Sequence, residues 1–253
     1  MDFITLLELA LIIAAGTYIQ TVTGFGLGMV VMGVVTMFGL LPIVFTSVVI
    51  SLTTLSNGVF ALRGDHEALD RKAMLYTSIG MLPAIALGLF LLQYMDAQFN
   101  NLLQFLLGVV IIVGGACSVL KPEPLARVSK PYTFSIAGAA GGFLAGMFSV
   151  AGPPLVYQFY RQPFEMRTIR ICLITAFLVS SVIRTAMLGV QGALELNMFT
   201  FALFCIPVVY TATWLGRNYP PKLSQQNMRR LAIAMLICIG TSLVVKTAGG
   251  VFG

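Results

Sequence analysis

The chain has 253 residues, 58% of them hydrophobic and only 9% charged, with a mean hydropathy of +0.94. Soluble domains carry about a quarter of their residues as charge, so a soluble fold is excluded and a bundle of membrane helices is expected. The net charge of +6 does not point to nucleic acid, because the basic residues sit between apolar runs, where topology accounts for them.

The N-terminus, MDFITLLELALIIAAG, lacks the basic leader and cleavage site of a secretory signal and reads as a retained first helix. The first apolar stretch, residues 3–41, is too long for one crossing. It is interrupted by Thr21-Val22-Thr23-Gly24-Phe25-Gly26-Leu27-Gly28, whose alternate glycines weaken a helix and allow close backbone approach. A span at 43–62 follows Pro42, then a polar loop, then spans at 73–93 and 100–120. A basic, proline-rich linker at 121–130 divides the chain.

The segment 131–161 is apolar but broken by Ser149-Val150-Ala151-Gly152-Pro153-Pro154. Gly-Pro-Pro cannot continue an incoming helix, yet proline suits the first turn of a new one. Irregular backbone at membrane depth survives only where protein buries it or water wets it, so a break here implies a cavity and a transport site. Spans at 168–189, 197–216 and 231–247 complete the chain.

The halves resemble each other. Asn101–Gly114 aligns on Asn227–Gly240, Met74 and Pro83 fall on Met198 and Pro207, and Gly24 falls near Gly152. We therefore expect an all-α integral membrane protein of two repeats, 1–120 and 131–253, each a broken helix or hairpin plus three transmembrane helices. Of 15 lysines and arginines, 13 fall in loops 63–72, 121–130, 161–170 and 217–230, which the positive-inside rule makes cytoplasmic. Loops 121–130 and 161–170 then share a side, so 131–161 is a hairpin, re-entrant or twice-crossing. An odd number of net crossings per half turns the second copy upside down, an inverted repeat.

Groups able to bind a small anion surround the breaks. Helices starting just after Gly24-Phe25-Gly26-Leu27-Gly28 and after Gly152, with Pro153 in the first turn, aim amide donors and positive dipole ends inward. Thr21, Thr23 and Ser149 add hydroxyls, and Tyr157 and Gln158 add polar tips. Asn57 lies within a polar run of its span, and Thr53, Thr54, Ser180 and Ser181 are further candidates to line the path. Arg184, about one and a half turns from its helix end, has two readings: counter-charge for an anion, or a side chain snorkelling to the interface.

No mid-membrane carboxylate is evident among nine acidic residues, so no proton relay is indicated. His66 reads as a loop residue, too far in topology from Ser149 to form a catalytic pair. Cys117, Cys172, Cys205 and Cys238 are widely spaced and read as small buried hydrophobes, not a metal site or disulfide framework. No phosphate-binding or dinucleotide motif occurs, so no enzyme, cofactor or metal is expected.

At these residues the chain resembles the TauE/SafE family of sulfite or organosulfonate exporters. Gly24-Phe25-Gly26-Leu27-Gly28 looks like the family's glycine-rich segment, and Gly152-Pro153-Pro154-Leu155 like its Gly-Gly-Pro-Pro element, with Ala151 where a glycine is common. The resemblance covers essentially the whole chain. It implies a multi-pass protein of the bacterial cytoplasmic membrane that moves a small sulfur-containing anion such as sulfite or a sulfonate. A secondary transporter with alternating access is the expectation, a channel-like facilitator the alternative. The lipid bilayer is its surroundings, and a homodimer is compatible with the sequence.

Overall fold

Apolar runs punctuated by glycine and proline fold as ten α-helices in the computed structural model, which describes residues 3–62, 66–119, 124–194, 196–219 and 225–252. They are α1 Phe3–Thr23, α2 Leu27–Phe38, α3 Ile43–Ala61, α4 Arg71–Gln98 and α5 Asn100–Val119 in the first half. The second half has α6 Pro131–Phe148, α7 Gly152–Tyr160, α8 Met166–Val190, α9 Leu196–Asn218 and α10 Gln225–Phe252. Arg63, Asp65, Lys121, Pro122, Glu195 and Lys222 lie outside the described residues, as do the side chains of His66, Asp96, Cys117, Arg229 and Arg230.

The starts and stops follow local chemistry. Asp70 caps α4 by accepting the Ala73 N–H at 2.8 Å. Pro131 sits in the first turn of α6, and Gly39 ends α2 in the left-handed conformation. Parts of α1, α3, α4, α8 and α9 are long and apolar enough to cross a membrane, while α2 and the apolar parts of α5 and α10 are shorter. Pro83 and Pro207 sit inside α4 and α9 without ending them, as membrane helices tolerate.

Small residues set the packing, as expected where lipid offers no hydrophobic drive between helices. α6 runs parallel to α4, with Gly138 against Thr77, Gly142 against Met81 and Gly146 against Ile85. A Cβ on Gly142 would lie 2.6 Å from Met81 O, which is backbone and cannot move aside. Gly142→Val is therefore expected to lower stability by about 1–3 kcal/mol through overpacking, read as a lower unfolding temperature in detergent. An unchanged value would mean that the backbone contact does not hold α4 to α6.

α5 packs on α10 through Gly108 and Gly240, and α3 packs on α8. α1 packs on α9 as α6 does on α4, α2 on α10 as α7 on α5, and α3 on α9 as α8 on α4. Exchanging α1–α5 for α6–α10 maps this set of pairs onto itself. Each half opens with a fold-back. Gly16 of α1 lies against Leu27 and Val31 of α2, and Gly141 of α6 against Ala151 and Leu155. The two ends of segment 131–161 meet, since the Leu125 N–H donates to Arg161 O at 2.9 Å and the Ser129 N–H to Gln162 Oε1 at 2.9 Å.

Candidate functional site

The first break is made by glycine. Gly24 and Gly26 take φ of +88° and +117°, conformations that side-chain-bearing residues rarely adopt. Thr23 Oγ1 lies 2.7 Å from Ile19 O and 2.8 Å from Phe25 O, which holds the reversal. The first ladder bond closing α2 runs from the Val30 N–H to Gly26 O at 2.9 Å. The N–H groups of Leu27, Gly28 and Met29 therefore precede the ladder. The Leu27 N–H donates to Gln20 Oε1 at 3.3 Å.

The second break is made by Ser149, whose φ of +56° is the one positive value at a non-glycine among the described residues. A left-handed residue with a Cβ costs about 1–2 kcal/mol, so the surroundings must hold it there. Ser149 Oγ does so by donating to Ser47 O at 2.6 Å. Pro153 and Pro154 carry no N–H, so amide donors in the first turn of α7 reduce to those of Gly152 and Leu155. The dipoles of both short helices are alike, but the amides lie mainly on α2.

The two breaks touch. A Cβ on Gly28 would lie 2.5 Å from Ser149 O, and one on Gly152 would lie 3.1 Å from Met29 Cε. Between them is a cavity of about 20 Å³, bounded by Gln20, Gly26, Gly28 and Met29 on one side and Ser149 to Gly152 on the other. Thr54 of α3 and Phe177, Ser180 and Ser181 of α8 complete its wall. That volume holds about one water.

Arg184 lies one turn along α8 from Ser180 and Ser181 and is 1% exposed. Its Nε donates to Gly146 O at 3.2 Å, and Nη2 to Ser47 Oγ at 2.7 Å. Nη1 lies 2.7 Å from Ser47 O, 2.7 Å from Ser149 Oγ and 3.0 Å from Ser51 Oγ. The head is buried against α3 and α6 and does not snorkel. Every recorded partner is a neutral oxygen, so the guanidinium keeps a net positive charge directly behind Ser149, at the wall of the cavity.

Of the residues singled out in the sequence, Gly26, Thr54, Ser149, Gly152, Ser180 and Ser181 line the cavity, and Arg184 reaches it through Ser149. The others lie nearby in packing roles. Asn57 Nδ2 donates to Thr21 Oγ1 at 3.1 Å and Thr213 Oγ1 at 2.9 Å, while Oδ1 accepts from Gln20 Nε2 at 3.0 Å. This buried knot ties α1, α3 and α9 and positions Gln20 over the start of α2. Gly24 packs on Arg170, Phe25 is fully buried, and Pro153 packs on Gly114. Gln158 donates to Thr133 Oγ1 at 3.0 Å, tying α7 to α6. Tyr157 is exposed beneath the Arg161 guanidinium, 5.6 Å from its ring centroid. Thr53 Oγ1 bonds back to Val49 O of its own helix at 2.8 Å.

Gln20, Ser47, Met29 and Phe177 carried no signal in the sequence, since a lone polar residue among apolar ones reads as helix–helix glue and Met or Phe as core. Asn57→Ala leaves the Gln20 amide unpaired and is expected to cost about 1–3 kcal/mol of stability. Anion flux per inserted molecule should fall less than on loss of Arg184, a ranking that quantitative reconstitution checks. No cluster of three or more His, Cys, Asp or Glu forms among the described residues.

The family model described as "Sulfite exporter TauE/SafE" matches residues 9–243, a stretch that contains both breaks and Arg184. A protein of Cupriavidus necator named "Probable sulfite/organosulfonate exporter TauE" is 47% identical over 240 residues, covering 95% of this chain and 94% of that protein. No solved structure matches the chain.

Proposed function

The chain belongs to the sulfite exporter TauE/SafE family and is a multi-pass membrane transporter, not an enzyme, and from that premise we propose that it carries sulfite or an organosulfonate by alternating access. The substrate sits where the two broken helices meet, its oxygens facing the free amides of α2 and the hydroxyls of Ser149, Ser180 and Ser181. The observation that carries this reading is the buried guanidinium of Arg184, which meets no carboxylate among the described residues and stands directly behind Ser149 in the wall of that cavity. A buried charge without an opposite partner is costly, and an intramembrane arginine marks an ion path by default. An anion passing through would supply the missing charge.

The cavity of about 20 Å³ is too small for a sulfite, which has four heavy atoms to water's one. A substrate-loaded state requires the breaks to separate, which is how a carrier differs from a permanently open channel. The exchange symmetry of the helix pairs supports two inverted repeats rocking against each other, and the adjoining of linker and loop at Leu125 and Arg161 supports a hairpin whose ends share the cytoplasmic side of the bacterial inner membrane.

Proteoliposomes preloaded with unlabelled sulfite and diluted into a trace of labelled sulfite test this reading. Transient accumulation of label above equilibrium is expected of a carrier. Non-saturating flux without counterflow would assign a channel, and absence of flux for sulfite and simple sulfonates alike would overturn the substrate class.

A further inference from the structure

A second, larger cavity, of about 430 Å³, lies at the other chemistry-bearing place in the fold, where α4 and α6 begin side by side. Lys72 and Tyr76 of α4 form one wall, Ser129 and Lys130 of the linker another, and Phe134 of α6 the floor. None of these residues contributes to the cavity between the breaks. We propose that this cavity binds the phosphate headgroup of an anionic membrane lipid.

The charge balance favours an anion. Lys72 and Lys130 are both exposed, and neither has an acidic partner among the described residues. The one carboxylate in the wall, Asp70, is committed to the Ala73 N–H at the start of α4. The parallel packing of α4 and α6 adds two positive dipole ends at the same face. The pocket is held in shape from behind. Gln162, 1% exposed, accepts the Ser129 N–H at 2.9 Å and donates to Ser129 Oγ at 3.0 Å and Gln158 O at 2.8 Å. Phe134 is pinned edge-on against Phe159, with ring centroids 5.7 Å apart.

What selects a lipid over a soluble anion is the surface beside the cavity. One and two turns along α4 from Lys72 stand Leu75 and Ile79, and following Pro131 on α6 stand Tyr132 and Ile136, all more than half exposed. A cationic hollow at the end of two membrane helices, continuous with an apolar ridge running into the bilayer, fits an amphiphile with its phosphate in the hollow and its acyl chains along the ridge. A soluble oxyanion would use only the hollow.

Native mass spectrometry of the full chain, released from nanodiscs of phosphatidylcholine with or without phosphatidylglycerol, reads this directly. The wild type is expected to retain phosphatidylglycerol in preference to phosphatidylcholine. Each lysine near a membrane surface contributes about 1 kcal/mol, so Lys72→Gln with Lys130→Gln is expected to weaken the preference by at least about tenfold, and the arginine pair at these positions to restore it. Equal retention of both lipids by the wild type, or an unchanged preference in the glutamine pair, would overturn the site. If millimolar inorganic phosphate raises the unfolding temperature in pure phosphatidylcholine discs as much as phosphatidylglycerol does, the ligand is a soluble oxyanion and the lipid assignment fails. Neither lysine belongs to the transport cavity, so sulfite counterflow by the glutamine pair in phosphatidylcholine is expected to match wild type, and its loss would count against a site separate from transport.

Discussion

Arg184→Met is expected to cut saturable anion flux by roughly 10- to 100-fold, while the protein still folds and inserts. The competing view is that the guanidinium is a structural clasp joining α3, α6 and α8. Its five contacts invite that view, yet the clasp is not needed to pair the serine hydroxyls it touches. Ser47 Oγ already donates to Val44 O at 2.6 Å, Ser51 Oγ to Ser47 O at 3.0 Å, and Ser149 Oγ to Ser47 O at 2.6 Å. A methionine of similar length would fill the space without leaving these hydroxyls unpaired. Replacing a buried charge by a hydrophobe is often neutral or stabilising, because burying the charge cost several kcal/mol in the first place. Stability should therefore change by no more than about 1 kcal/mol.

Transport is different. A charge-assisted hydrogen bond contributes about 1.5–3 kcal/mol, and about 2.7 kcal/mol is a factor of 100 in binding. Arg184→Lys keeps the charge but not the planar fork, and should raise the half-saturation concentration about tenfold. Flux normalised to inserted protein, with the unfolding temperature in detergent measured beside it, separates the two views. Flux that falls only in step with the folded fraction would make Arg184 a clasp, and wild-type flux in the methionine variant would remove it from the substrate path.

Much of the helix layout was legible because its punctuation is chemical. Gly24 and Gly26 weaken a helix, the Gly152-Pro153-Pro154 run cannot continue an incoming one, and α2 and α7 begin where those residues permit. Boundaries were less legible. The spans expected at 73–93 and 231–247 are inner parts of α4 and α10, because polar and charged residues at a membrane surface continue a helix that hydropathy alone would end. In the site, Ser149 and Gly152 were visible through the break itself. The surroundings of Arg184 were not, since its position near a helix end fits either an outward or an inward head. Only the packing of α3, which brings Ser47 and Ser51 alongside α8, turns it inward. Asn57 shows the converse. Its polarity was visible, but a hydrogen-bonded knot and a cavity wall are told apart only by the partners that the fold supplies, here Gln20, which the sequence did not single out.

Gly28 should be the most sensitive glycine of the site, ahead of Gly152, although the sequence drew attention first to the Gly-Pro-Pro break. A Cβ at Gly152 meets the end of a flexible side chain, Met29 Cε, which can rotate away at a cost below about 1 kcal/mol. At Gly28 it meets Ser149 O at 2.5 Å, and Ser149 is fixed by its bond to Ser47 and by Arg184. The breaks would have to part by a few tenths of an ångström or more, at about 1–3 kcal/mol. If the closed arrangement of the breaks is one of two working states, that cost falls on the closed state alone. It would shift the equilibrium towards separation by roughly 5- to 150-fold. Gly28→Ala should then show two effects at once: counterflow reduced at least about tenfold, and a several-fold faster reaction of Ser180→Cys in the cavity wall with a small thiol reagent. Gly152→Ala should show neither, whereas Gly152→Leu, which places a branched chain in the cavity, should lose flux with the protein still inserted. Slower flux in Gly28→Ala without any gain in Ser180→Cys reactivity would mean that the contact between the breaks is mere packing and does not separate during transport.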